Sequence, residues 1–196
     1  MSAAREEILA QLERAQPPAN PRPIAMSTPS MPPDPIATLR DRIVDAGGSL
    51  QTVERNGWVE QVEWPVDRSS FEHVYSSVSA IPMQGDAISA KTDHELERLD
   101  LCVLSAEFAV VENGAVWHRP TTTRERAAAL LATHLMITVE SDELVATLHQ
   151  AYERIELEPN EFGWFLCGPS KTADIEQSLV FGAHGPCTMS LILIRD

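Results

Sequence analysis

Apolar residues recur along the chain at two spacings, three to four residues and two, and their order predicts helices alternating with short strands. Residues 3–15 place Ile8, Leu9, Leu12 and Ala15 at helical spacing, with Ser2 available as N-cap and Glu6 and Glu7 early, the pattern of a short amphipathic helix. Residues 17–35 then hold eight of the fourteen prolines, which removes backbone donors and forbids a packed helix or central strand. That stretch reads as a linker, and the apolar stripe of the helix before it needs a partner, either its own domain or another subunit.

From residue 36 onward the helix and strand patterns follow one another closely. Residues 36–46 form a predicted helix with Ile36, Leu39, Ile43 and Val44 on one side, stopped by Gly47-Gly48, and residues 49–53 a strand. Asp67 is placed to cap a helix through Ser79, with Phe71, Val74, Tyr75 and Val78 three and four apart. Residues 84–100 carry no clear pattern. Residues 108–112 and 115–119 alternate like strands around Asn113-Gly114, a dipeptide favoured in two-residue hairpin turns. Helices are predicted over 122–131, 141–155 and 172–180, and strands over 135–139, 163–167 and 188–194. The organisation is a helix (1–16), a Pro-rich linker (17–35) and an α/β domain (36–196).

Composition narrows the function classes. At 196 residues and 43% hydrophobic content the chain can bury roughly two-thirds of its unfolded surface, enough for one core without staples. A formal charge of −14 repels a phosphate backbone and argues against nucleic acid as the main partner. No apolar run reaches the ~18 residues of a membrane span, and the opening residues are acidic rather than signal-like. Cys102, Cys167 and Cys187 are odd in number and far apart, so neither a disulfide framework nor a Cys-x-x-Cys motif is expected, and a reducing cytoplasm is the simplest setting.

Three loops could carry chemistry. In 112–115, a Glu112 sharing a strand face with Phe108 and Val110 would be a candidate acid, base or nucleophile, whereas an Asn-Gly hairpin accounts for the same residues structurally. In 168–176, Gly168 permits an unusual turn, Ser170 or Thr172 can cap a helix, and free amides with Lys171 could hold an anion. Asp174 and Glu176 would already complement that helix dipole, so ordinary capping is the competing reading. In 182–186, His184 could act as acid or base between Gly182, Gly185 and Pro186, or simply be a hydrogen-bonded loop residue. Together the loops nominate Glu112 and His184 as catalytic candidates and Asn113, Gly114, Gly168, Ser170, Thr172, Asp174 and Gly185 as ligand-binding candidates. His73, His94, His118, His134 and His149 show no metal-ligand spacing, so no metal site is expected.

The wording of these loops resembles a known family. Cys167-Gly168-Pro169-Ser170-Lys171-Thr172-Ala173-Asp174-Ile175-Glu176, then Gly182-Ala183-His184-Gly185-Pro186 and an apolar last strand, closely resemble the end of LUD-domain proteins. Residues 106–115 resemble the family's A-D-x-A-I-A-E-T-G-T stretch, with Asn113 and Ala115 in place of its threonines, and Thr133-His134-Leu135 falls where the family shows V-H-I. Residues 2–12 resemble the start of its lactate-utilization members.

The resemblance implies the fold of ribose-phosphate isomerase, glucosamine-phosphate deaminase and CoA transferases: a mixed, mainly parallel sheet with helices on both faces. It also implies a subunit that supports oxidation of L-lactate to pyruvate without its own redox cofactor, beside iron–sulfur protein partners that carry the electrons. Glu112-Asn113-Gly114 is similar to the S-E-N-G motif of CoA transferases, which leaves open a stand-alone small-molecule enzyme of CoA-transferase or formyltetrahydrofolate cyclo-ligase type. A regulatory or assembly module using the terminal helix is the third alternative.

Overall fold

The computed structural model describes residues 3–15, 29–85, 92–175 and 178–196. Strands β1 (Ser49–Glu54), β2 (Val74–Ser76), β3 (Leu101–Ser105), β6 (His134–Glu140) and β11 (Thr188–Arg195) form a five-stranded sheet in the order β1-β11-β6-β3-β2. Every neighbouring pair in it is parallel. A second, mixed sheet has the order β7-β4-β5-β8, built from β4 (Phe108–Val110), β5 (Val116–His118), β7 (Leu144–Val145) and β8 (Trp164–Leu166). Strands β9 (Lys171–Ile175) and β10 (Ser178–Phe181) pair antiparallel. The helices are α1 (Ala3–Arg14), α2 (Pro35–Asp45), α3 (Trp58–Gln61), α4 (Thr123–Leu131) and α5 (Leu148–Arg154).

The parallel strands are apolar at successive positions because both faces of their sheet are covered. Along β3, Cys102 and Leu104 join the core under α2 and α4, while Leu101 and Val103 join the core under α3. Ile137 and Leu191 face the first core, and Met136 and Ile192 the second. The sheet is therefore mainly parallel and carries helices on both sides, as expected. No helix among the described residues is long and apolar enough to cross a membrane.

Local signals account for α2 closely. Asp34 accepts the Ala37 amide at 2.9 Å, Pro35 opens the helix, and Leu39 and Ile43 are fully buried. The Gly47 and Gly48 amides return to Val44 and Ile43, closing a Schellman motif that turns the chain into β1.

Three predicted helices are corrected. Asp67 caps only a single turn over Arg68–Ser70, and Val74 to Ser76 become β2, because Val74 and Tyr75 face opposite cores and both must be buried. Over 141–155 the first part supplies β7, which pairs parallel with β4, and the helix starts only after Thr147, whose hydroxyl accepts the Gln150 amide at 3.3 Å. The region 172–180 is the β9–β10 pair rather than a helix, with Val180 opposite Thr172 and Phe181 opposite Lys171. Its β-branched and aromatic residues favour that outcome. Helix α1 forms as expected, with Ile8, Leu9 and Leu12 exposed at 57%, 44% and 59%. Its proposed cap Ser2, most of the linker (17–28) and Glu176 lie outside the described residues.

Candidate functional site at the carboxyl edge of the parallel sheet

The expected loops come together, but not where a strand-face carboxylate would put them. Strand β4 ends at Val110, and residues 111–114 make a turn closed by Val110 N donating to Ala115 O at 2.8 Å and Gly114 N donating to Val110 O at 2.9 Å. The turn is longer than the two-residue form because Gly114 alone within it has positive φ, whereas the two-residue form favoured by Asn-Gly needs two such residues. Asn113 Oδ1 accepts the Ala115 amide at 3.0 Å. Glu112 is exposed instead of lying among apolar neighbours, and its Oε2 accepts the Leu148 amide at 2.8 Å at the start of α5. The carboxylate thus caps that helix.

The other loops attach to this turn through 167–170. Cys167 Sγ donates to Asn113 O at 3.4 Å, and burial pushes the Cys167 thiol up, with Lys171 opposing. Gly168, at φ +70°, lies against Ala46 at the end of α2, where a side-chain carbon would overlap the Ala46 carbonyl oxygen. Ser170 N donates to Pro186 O at 2.9 Å and its carbonyl accepts the Gly182 amide at 3.0 Å. Gly185 also packs on Ser170, and His184 is exposed between β10 and β11. Thr172 and Asp174 lie on β9, so the helix amino end that was to hold an anion beside them does not exist.

This cluster surrounds the last turn of α2, next to the first residues of β1, β6 and β11. It is the amino edge of the parallel sheet, and it bridges two sheets rather than ending one. Ligand crevices in open α/β sheets form outside the carboxyl ends of the strands.

At that carboxyl edge the structure assembles a polar group that the loop motifs do not include. His118, the last residue of β5, and Glu125, in the first turn of α4, are each only 2% exposed. His118 Nδ1 lies 2.8 Å from the carbonyl oxygen of Ser105, the end of β3, so Nδ1 carries a proton and donates it. Nε2 then faces Glu125 Oε1 at 3.7 Å. At that distance Nε2 makes no hydrogen bond among the described residues.

The rest of the group fixes Glu125. Its Oε2 accepts the Thr121 amide at 2.7 Å and the Thr121 hydroxyl at 2.9 Å, while Thr122 Oγ1 accepts the Glu125 amide at 3.1 Å as N-cap. The Tyr75 hydroxyl is hydrogen-bonded to Thr122 and its phenol is pushed up by burial, with Glu125 adding to the rise and the Thr122 bond opposing it. Cys102 on β3 is pushed well up by burial and, secondarily, by Glu125.

Outside this buried pair lies an open cleft of about 400 Å³ between residues 119–123 and 160–162, with Arg126 on its wall. Arg119 is braced by Glu107 at 2.9 Å and Glu161 at 3.3 Å. Arg126 stacks over Phe162 with its guanidinium carbon 4.8 Å from the ring centroid, and has no acidic partner among the described residues. One sequence signal pointed here: Thr122-x-x-Glu125 is the capping-box pattern, although Glu125 reaches Thr121 rather than the N-cap amide.

An α/β protein with a parallel sheet, a second mixed sheet and a polar crevice over the carboxyl ends is thus defined. The LUD domain matches residues 51–194, and the chain belongs to that family. It is similar to Lactate utilization protein C of Shouchella clausii, 27% identical over 154 residues, covering 74% of this chain and 67% of that protein. It is also similar to the Halalkalibacterium halodurans protein of the same name, 29% identical over 107 residues, covering 51% and 46%. The alignments thus span from about half to two-thirds of these relatives. A crystal structure of a DUF162 family protein from Deinococcus radiodurans shares the fold, with a TM-score of 0.57 at 17% identity, covering 82% of this chain and 96% of that one.

Proposed function

We propose that this chain acts in lactate utilization, as a component of a system that oxidises L-lactate to pyruvate and without a redox cofactor of its own. The observation that carries the reading is the family match together with relatives named Lactate utilization protein C. The oxidation removes two electrons and two protons from the substrate. The three cysteines stand apart, Cys102 buried on β3 and Cys167 and Cys187 exposed on separate loops, and are fewer than the four thiolates that usually hold an iron–sulfur cluster. In this reading the electrons pass to partner subunits with cysteine-rich iron–sulfur motifs, as the family resemblance implies.

Deleting the gene from its source organism and measuring growth on L-lactate as sole carbon source tests this. Growth lost on L-lactate, kept on pyruvate and restored by the wild-type gene is the expected pattern. Undiminished growth of the deletion strain on L-lactate would remove the assignment.

A further inference from the structure

We infer that the cleft walled by Arg126 and Phe162 is a binding site for a small monocarboxylate bearing a hydroxyl or keto group beside the acid; this rests on the lactate reading and gives it a location. Charge selects a monoanion. Arg119 is held by the carboxylates of Glu107 and Glu161, which leaves Arg126 as the guanidinium of the cleft without an acidic partner among the described residues. A dianion such as phosphate would exceed the single charge of Arg126 and be repelled by Glu161 more strongly than a monoanion.

The hydroxyls select what lies next to the carboxylate. Thr123 Oγ1 accepts from Arg126 at 3.3 Å, so its own O–H remains to donate to a ligand oxygen. Thr121 spends its O–H on Glu125 at 2.9 Å, so its lone pairs remain to accept from a ligand hydroxyl. The Phe162 ring, 42% exposed, supplies an apolar wall for a short alkyl group. Behind Thr121 stands the buried His118–Glu125 pair, each partner 2% exposed, with Nε2 of His118 making no hydrogen bond among the described residues. A ligand hydroxyl bonded to Thr121 is then one hydrogen bond from Glu125, whose other oxygen faces His118 Nε2 at 3.7 Å.

Amide NMR of the full chain, titrated with sodium L-lactate, sodium pyruvate, sodium propionate and sodium phosphate at constant ionic strength, tests the site. Shifts for L-lactate and pyruvate should centre on residues 119–126 and 160–162, with propionate weaker because it lacks the second oxygen. Arg126→Gln should weaken L-lactate binding by about tenfold or more and Thr123→Val by about fivefold, whereas Arg42→Gln, on the far helix α2, should leave it unchanged. Shifts centred on residues 168–186, equal responses to phosphate, or undiminished binding by Arg126→Gln with a wild-type spectrum elsewhere would overturn the site. The two readings fail separately. A deletion strain that still grows on L-lactate removes the function, whereas one that fails to grow but is fully rescued by Arg126→Gln removes only the cleft.

Discussion

His118 Nε2 faces Glu125 Oε1 at 3.7 Å across the junction of β5 and α4, with both side chains closed off from solvent. Removing one member strands the other in a low-dielectric site, so Glu125→Ala should cost about 3–5 kcal/mol in urea denaturation. His118→Phe combined with Glu125→Leu should cost clearly less than the two single changes added, with a coupling of about 1–3 kcal/mol. Strict additivity would mean that the pair does not interact.

Burial lowers the pKa of His134, with Asp100 opposing, and its Nδ1 lies 2.8 Å from Thr188 Oγ1, joining the starts of β6 and β11. The folded protein therefore takes up this proton less readily than the unfolded chain. Stability from this group is complete above the unfolded value of about 6.5 and falls as pH drops from there through the lower folded value. His134→Asn, which can keep a hydrogen bond to Thr188, should flatten the loss of stability between pH 7 and 5, read from denaturation midpoints. An unchanged slope would contradict the assignment.

The thiols differ by place. Cys167 and Cys187 are exposed and Cys102 is fully buried, so an aromatic disulfide reagent at pH 8 should label two thiols in the folded protein and the third only after unfolding. The raised pKa of Cys167 makes it slower than a free thiol at that pH. Three fast thiols would contradict the placement of β3.

Helix α1 exposes Ile8, Leu9 and Leu12, so removing residues 1–15 should leave the unfolding free energy within about 0.5 kcal/mol of that of the full chain. In contrast, Leu191→Ala, fully buried on β11, should cost about 2–5 kcal/mol. A large loss from the truncation would show that α1 docks on the α/β core.

The sequence made the sheet legible where caps and periodicity agreed. Gly47-Gly48 stop α2 where its periodicity ends, and the near-continuous apolar runs of β6 and β11 read as strands covered on both faces. It misled where an apolar spacing of three or four arose from two faces at once. Val74 and Tyr75 serve opposite cores, so their neighbourhood imitated a helix. Residues 172–180 likewise read as a helix in the sequence but pair as β9 and β10, and the supposed anion site goes with that helix.

The site was harder to read than the fold. Glycine-rich loops around 112, 168 and 184 stand out in a sequence, and they do meet, but Gly114 and Gly168 serve close packing on α2, and Gly182 and Gly185 pack on Cys187 and Ser170. His118 and Glu125 are seven residues apart on a strand and a helix, and only the turn at 119–122 brings them face to face. Nothing in their spacing alone marks them as a pair.

The most direct test of the lactate role is L-lactate-dependent reduction of an artificial electron acceptor by extracts of the deletion strain, assayed with and without the purified chain. The account predicts no turnover by the chain alone, a deficient extract, and activity restored when the chain is added back. Turnover by the isolated chain, or a full rate in extract that lacks it, would contradict the account.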